Sequence, residues 1–249
     1  MRGFVAIFKR ELFALFVTPL AWVLLTVFLL TQGFQFWMVV RASAVDGGDI
    51  ADVSSPVQAY FGGTILTYLP LLFICPLLTM RLFAEERKSG TIETLMTAPV
   101  DTLAVVLGKY LGALTTYVAL WIPTGFYMLI LSRFGEVDLR NVESGYLGLF
   151  MIGAGYLAIG TMTSALTTSQ LIAAILSGLA IVGLFTLSLG TTIFEAGLMH
   201  DVSTFVSPWS MMDEFSRGLI DSRRLVFSGL LVAVPLFFTF RLVEAWRWG

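Results

Sequence analysis

The sequence predicts an all-α polytopic membrane protein. The expected plan is six transmembrane helices, an N-terminal interfacial amphipathic helix, a short helix in a cytoplasmic loop, and short external helices before the last span. Two observations carry this. Hydrophobic residues make up 57% of the 249 and charged residues only 13%, with mean hydropathy +0.86. A soluble domain of this size needs a surface of which about a quarter is charged. The apolar residues are also gathered into stretches of the length that crosses hydrocarbon, at 19–40, 60–83, 104–131, 146–166, 169–193 and 224–243. The chain therefore reads as one transmembrane domain, 1–249, with an interfacial helix at 2–17, a polar loop at 84–101 and a longer loop at 194–222.

An even number of spans puts both termini on one side, and the short connecting segments say which. Arg2, Lys9, Arg10, Arg81, Arg87, Lys88, Lys109, Arg241 and Arg247 fall together, nine cations against six on the other side: Arg41, Arg133, Arg140, Arg217, Arg223 and Arg224. Most of the acid lies with the six, so the nine mark the cytoplasmic face. Arg223 and Arg224 run against this bias, and Asp221 is expected to offset them. A formal charge of −2 gives no basic field, which argues against nucleic acid as a partner. Cys75, the single cysteine, lies beside Pro76 in an apolar run and is expected to be a small buried hydrophobe. The first apolar run is long enough to span and is followed by no small-residue cleavage pattern, so it is expected to stay in the protein.

Before the first span, Phe4, Val5, Phe8, Leu12, Leu15 and Phe16 share about a third of a helical wheel, and Arg2, Lys9 and Arg10 lie outside it. Ile7 and Phe13 depart from that face. The pattern predicts a helix lying in the interface, its basic side toward headgroups, with Pro19 marking the bend into the first span.

The segment Arg81 to Asp101, RLFAEERKSGTIETLMTAPVD, concentrates the charge between the second and third spans. Glu85, Glu86, Arg87 and Lys88 continue the second span as a polar helix end, and Gly90 breaks its direction. Behind it Thr91 suits an N-cap and Glu93 the first turn, while Ile92, Leu95 and Met96 share a face until Pro99. Such a helix can enter a groove on a soluble partner or rest on the bilayer, and periodicity alone does not choose. The run EERKSGTIETLMTAPVDTLAVVLGKYLGAL, about thirty residues, resembles the loop after the second span in ABC exporter permeases of the type 2 class. The resemblance implies a coupling helix, formed by Glu85, Glu86, Arg87, Lys88, Gly90, Thr91, Ile92, Glu93 and Leu95, that docks into a separate ATPase subunit.

Residues 194–222 are too long for a minimal turn. Ser207 before Pro208 is a strong helix start, Gly218 offers a stop, and Met211, Met212, Phe215 and Leu219 would share a face. One reading is an interfacial helix anchored by Trp209. The following run, FSRGLIDSRRLVFSGLLVAVPLFFTFRLVEAWRWG, is similar to the end of the gliding-motility branch of these permeases, itself similar to the permeases of nitrous-oxide-reductase maturation. In the type 2 class this region forms short external helices that close the outer end of the pathway. The resemblance thus assigns an external gate to Ser207, Pro208, Trp209, Met212, Phe215 and Arg217.

No GxxxxGK[ST] occurs, since Gly108 and Lys109 lack the upstream glycine and precede Tyr110. The chain is therefore expected to be a non-catalytic transport subunit without a cofactor of its own, ATP and Mg being held by a partner ATPase. The resemblance further implies a second permease copy or related subunit, an auxiliary protein with an external domain, and residence in a bacterial inner membrane. Export and a lipid-like or amphiphilic substrate are expectations, as is the remodelling of an envelope protein by transmitted force. The rival readings are weaker. An ion-coupled secondary transporter or channel would bury charge near the midplane, whereas here charge falls toward span ends. An intramembrane enzyme would need more than His200, the sole histidine, and metal ligation finds no HExxH.

Overall fold

The structure, a computed structural model, describes residues 2–45, 55–62, 64–92, 100–134, 137–188, 190 and 197–248. Among these, every regular element is helical, and six helices are long and apolar enough to cross a membrane: Ala21–Ser43, Ile65–Ser89, Thr102–Arg133, Leu139–Leu166, Gln170–Leu187 and Ser222–Trp246. The protein is an all-α polytopic membrane protein.

Helix α1 (Arg2–Val17) precedes the first span, α2 (Pro19–Val45). Pro19 opens α2 at a position where no helical N–H is needed. The second span is composite. A short buried helix, α3 (Pro56–Gly62), leads through a 3-10 turn at Ile65–Thr67 into α4 (Leu69–Thr79), and a polar extension, α5 (Ala84–Ser89), follows. The third span is also interrupted. Pro123 sits in a 3-10 turn, Ile122–Thr124, between α6 (Thr102–Trp121) and α7 (Gly125–Phe134), because it can neither donate to the helical ladder nor clear the preceding turn.

The fourth span, α8 (Leu139–Leu166), starts where Asp138 accepts the Arg140 N–H at 2.9 Å. It joins the fifth, α9 (Gln170–Leu187), through three residues. Two short helices, α10 (Leu198–Val206) and α11 (Pro208–Ser216), come before the last span, α12 (Ser222–Trp248).

Helix α8 is the axis of the bundle. It packs against α4, α6, α9, α11 and α12, and its small residues set the spacing. A Cβ added at Gly153 would stand 2.2 Å from Tyr117 Cζ, and the Tyr117 hydroxyl donates to the Leu149 carbonyl at 2.9 Å across the same interface. Cys75 is fully buried in α4. By contrast α2, α9 and α12 leave most of their apolar surface uncovered, as spans facing lipid or further helices do.

Helix α1 departs from the face expected of it. Ile7 (6% exposed) and Leu15 are its buried apolar residues, whereas Phe13 is 73% exposed and Val5 and Phe16 are also exposed. Phe4, Phe8 and Leu12 are half-buried. A wheel scored by apolarity alone finds the side facing lipid. The helix also has a protein-facing side, where Ile7, Glu11 and Leu15 recur every four residues against α6.

Gly153→Ala is expected to destabilise the bundle by about 1–3 kcal/mol through overpacking against Tyr117. Gly183→Ala, with nothing within 4 Å of the added Cβ, serves as its neutral partner. Thermal unfolding of the two variants in one detergent distinguishes them.

Candidate functional site

At the α1 end of the bundle, α6 carries GKYLG, residues 108–112, two glycines four apart. They leave a groove into which α1 settles. A Cβ at Gly108 would stand 3.0 Å from Ile7 Cγ2, and one at Gly112 would stand 3.0 Å from Glu11 Cβ. That approach brings Glu11 to Lys109, which is 1% exposed. The Lys109 ammonium donates to Glu11 Oε1 at 2.9 Å and to the Leu82 carbonyl at 2.7 Å, and it lies 2.9 Å from Glu86 Oε1 as an ion pair. Arg10 closes the square, pairing with Glu11 at 2.7 Å and with Glu86. Two cations and two carboxylates from α1, α5 and α6 therefore form one network.

Burial alone would raise the Glu11 pKa. The charge of Lys109 and hydrogen bonds from Arg10 and Lys109 outweigh it and hold the carboxyl below its ordinary value.

The rest of the second span's end is fastened as firmly. The Ser164 hydroxyl of α8 accepts the N–H groups of Phe83 and Ala84 at 3.1 and 3.2 Å and donates to the Met80 carbonyl at 3.0 Å. One side chain thus satisfies backbone groups on both sides of the break between α4 and α5. Arg81 donates to the Ala14 carbonyl at 3.0 Å and to Thr18 Oγ1 at 3.1 Å, closing the last turn of α1. Arg87 donates to the Ala165 carbonyl at 2.9 Å and lies 4.6 Å over the Trp246 ring.

The residues expected at a coupling helix consequently separate into two groups. Glu86 and Arg87 turn inward and anchor the segment, and Arg10 pairs with carboxylates where headgroups were expected. Glu85, Lys88, Ser89 and Gly90 are exposed. Gly90 ends α5 with φ +72°, a conformation in which glycine is unstrained. Thr91 and Ile92 are helical; the Thr91 hydroxyl faces back to the Glu86 carbonyl at 3.4 Å, and Ile92 is half-buried against the core. Glu93 and Leu95 lie outside the described residues. Lys9, on α1, is exposed.

At the opposite end, Ser207 caps α11 by accepting the Ser210 N–H at 3.2 Å, and Pro208 occupies the first turn. Met211, Met212 and Phe215 are buried, with Met212 and Phe215 seated against Gly148 of α8. The Phe215 carbonyl accepts from the Ser144 hydroxyl at 2.6 Å. Trp209 stacks on Tyr68, ring centroids 5.4 Å apart, and Arg217 is exposed beside Asp213 at 3.1 Å. Leu219 does not join the buried face. It is 61% exposed because α11 stops at Ser216 and Gly218, at φ +77°, turns the chain outward.

Arg224, expected to be offset by Asp221, instead holds Glu214 with two hydrogen bonds of 3.0 and 2.7 Å and donates to the Thr204 carbonyl at 3.0 Å and to that of Phe205. One buried guanidinium so ties α10 and α11 to α12. Sequence reading had singled out none of Glu11, Ser164, Glu214 or Trp246. The GKYLG spacing was the available signal for the first of them.

Lys109→Met is expected to cost about 3–5 kcal/mol, since it removes the buried cation shared by two carboxylates and leaves both to the half-exposed Arg10. Adding Glu11→Gln and Glu86→Gln should recover much of that loss in thermal unfolding. The pH dependence has a fixed sign. With its folded pKa depressed, Glu11 contributes stability above the ordinary carboxylate range that is lost as pH falls through the folded value. The gap between wild type and Glu11→Gln should accordingly close on acidification.

No curated protein compared with the chain matches it. The family model of the ABC-2 family transporter proteins matches residues 48–217, more than half of the chain, taking in both the fastened end of the second span and the α10–α11 pair. The chain belongs to the ABC-2 transporter family and is a membrane-spanning permease component of an ABC transporter.

Proposed function

We propose that this permease works as an exporter, driven by a separate ATPase that docks on the α5 end of the bundle. The observation that carries the reading is the mounting of α5. Its exposed residues, Glu85, Lys88, Ser89 and Gly90, stand on a segment fastened to α1, α6, α8 and α12 through Glu86, Lys109, Ser164 and Arg87. A partner pushing on that surface moves several spans together, which is what mechanical coupling of ATP hydrolysis to transport requires. ATP and Mg belong to the partner, and the termini and α5 face the cytoplasm, in keeping with the cation count.

On this reading, the α10–α11 pair closes the external end, held shut by Arg224, by the Trp209–Tyr68 stack and by the Met212 and Phe215 contacts on α8. A second permease copy or related subunit completes the pathway. The similarity of the last span to the gliding-motility branch favours an auxiliary protein with an external domain and a bacterial inner membrane. A lipid-like or amphiphilic cargo, or force delivered to an envelope protein, suits the uncharged spans. An ion-coupled mechanism is disfavoured because the two buried cations among the described residues are already engaged near opposite ends of the bundle, Lys109 by groups of α1 and the end of the second span and Arg224 by groups of α10 and α11.

The test separates surface from mount. The double charge reversal Glu85→Lys, Lys88→Glu should cut recovery of the ATPase with the tagged permease by about tenfold, a loss of about 1.4 kcal/mol. Lys109→Met should retain the ATPase yet lower vanadate-sensitive hydrolysis stimulated by the permease. Copurification from native membranes without any ATPase would refute the reading.

A further inference from the structure

Arg223 and Arg224 are neighbours in sequence with opposite situations. Arg224 is spent inside the protein on Glu214 and two carbonyls. The backbone N–H of Arg223 donates to Asp221 Oδ1 at 2.9 Å, but its side chain is exposed and its guanidinium has no hydrogen-bonded or ionic partner among the described residues. Beside it a groove of about 360 Å³ runs between α10 and α12, lined by Phe205, Ser222, Arg223, Val226, Phe227 and Leu230. Its polar residues, Ser222 and Arg223, stand at the first turn of the last span, and the others are apolar.

We infer that this groove is a binding site for one anionic glycerophospholipid, with the phosphate on Arg223 and an acyl chain along Val226, Phe227 and Leu230. From Arg223 to Leu230 the helix rises about 10 Å, which takes the groove from the headgroup level into hydrocarbon. A cation at the membrane surface beside an apolar wall complements a lipid phosphate with its chain. A free phosphate would leave the apolar wall uncovered. The leaflet is the outer one if the orientation proposed above holds; the site itself does not depend on it.

Phe205 gives the site a consequence. It forms part of the groove, packs edge-on against Phe227 with centroids 5.2 Å apart, and lies 5.4 Å from the Arg224 guanidinium. A lipid seated there bears on the clamp that fixes α10 and α11.

The test uses the full-length protein in nanodiscs of phosphatidylcholine with a minority of phosphatidylglycerol, with retained lipid counted by native mass spectrometry after release into detergent. Arg223→Gln removes the cation, and Leu230→Trp fills the groove while keeping it. Arg133→Gln removes an exposed arginine at the same end of the third span. Retained phosphatidylglycerol should fall about fivefold in Arg223→Gln, the scale of one arginine near an anionic surface, fall below the wild-type level in Leu230→Trp because the acyl chain is displaced, and stay at the wild-type level in Arg133→Gln. Wild-type retention in Arg223→Gln or in Leu230→Trp overturns the site. So does an equal loss in Arg133→Gln, which would mean general attraction of headgroups, or a polypeptide crosslinked at position 230 in native membranes in place of lipid. No nucleotide or ATPase enters the measurement, so its failure leaves the exporter reading standing.

Discussion

The buried ammonium of Lys109 is the constraint around which the α1 end of the bundle is arranged. An unpaired charge in that position would be prohibitive, and the Leu82 carbonyl, although it accepts one of the protons, does not neutralise it. The structure meets the demand by bringing two helices to it. Helix α1 can come close enough only because Gly108 and Gly112 flank Lys109 on α6, and α5 comes close enough only because the second span breaks after Thr79 and restarts at Ala84. The backbone exposed at that break then needs partners of its own, and Ser164 supplies them. Packing, charge and helix termination at this end are therefore one solution to one electrostatic problem.

The opposite end follows another logic. There the joining groups are apolar and aromatic, Met212 and Phe215 on α8 and Trp209 on Tyr68, with a single guanidinium holding two helices to the last span. Met212 and Phe215 are fully buried there, and Arg224 is 4% exposed. The two ends thus differ in the chemistry of their joints, a network of charges at the α1 end and apolar packing around one guanidinium at the other.

Much of this plan was legible in the residues, and what was not has definite physical reasons. The six apolar stretches are visible because length and composition alone decide whether a helix can cross hydrocarbon. Ser207 and Pro208 announced the start of α11 because capping chemistry is local. Ile7 was excluded from the face of α1 because the wheel weighs apolarity, and a helix shared between lipid and protein has two apolar sides. Leu219 has the helical spacing of Met212 and Phe215, but the helix ends three residues earlier, at Ser216. Glu86 and Arg87 look like any polar helix end, and only the positions of Lys109, Ala165 and Trp246, distant in sequence, show that they point inward. Likewise Arg224 passes over the adjacent Asp221 for Glu214, a choice that depends on where α11 lies and not on proximity along the chain.

The order of the charges along the chain bears on how the protein is made. Glu11 and Glu86 both precede Lys109, so both of its carboxylate partners are synthesised before it. A lysine at the centre of an inserting helix costs about 2.5–3.5 kcal/mol. Lys109 instead lies near the end of its span and is paired there in the folded bundle, which lowers that cost. The N-terminal helix thus supplies a counter-charge that the third span needs in the folded bundle, from a position 98 residues earlier in the chain.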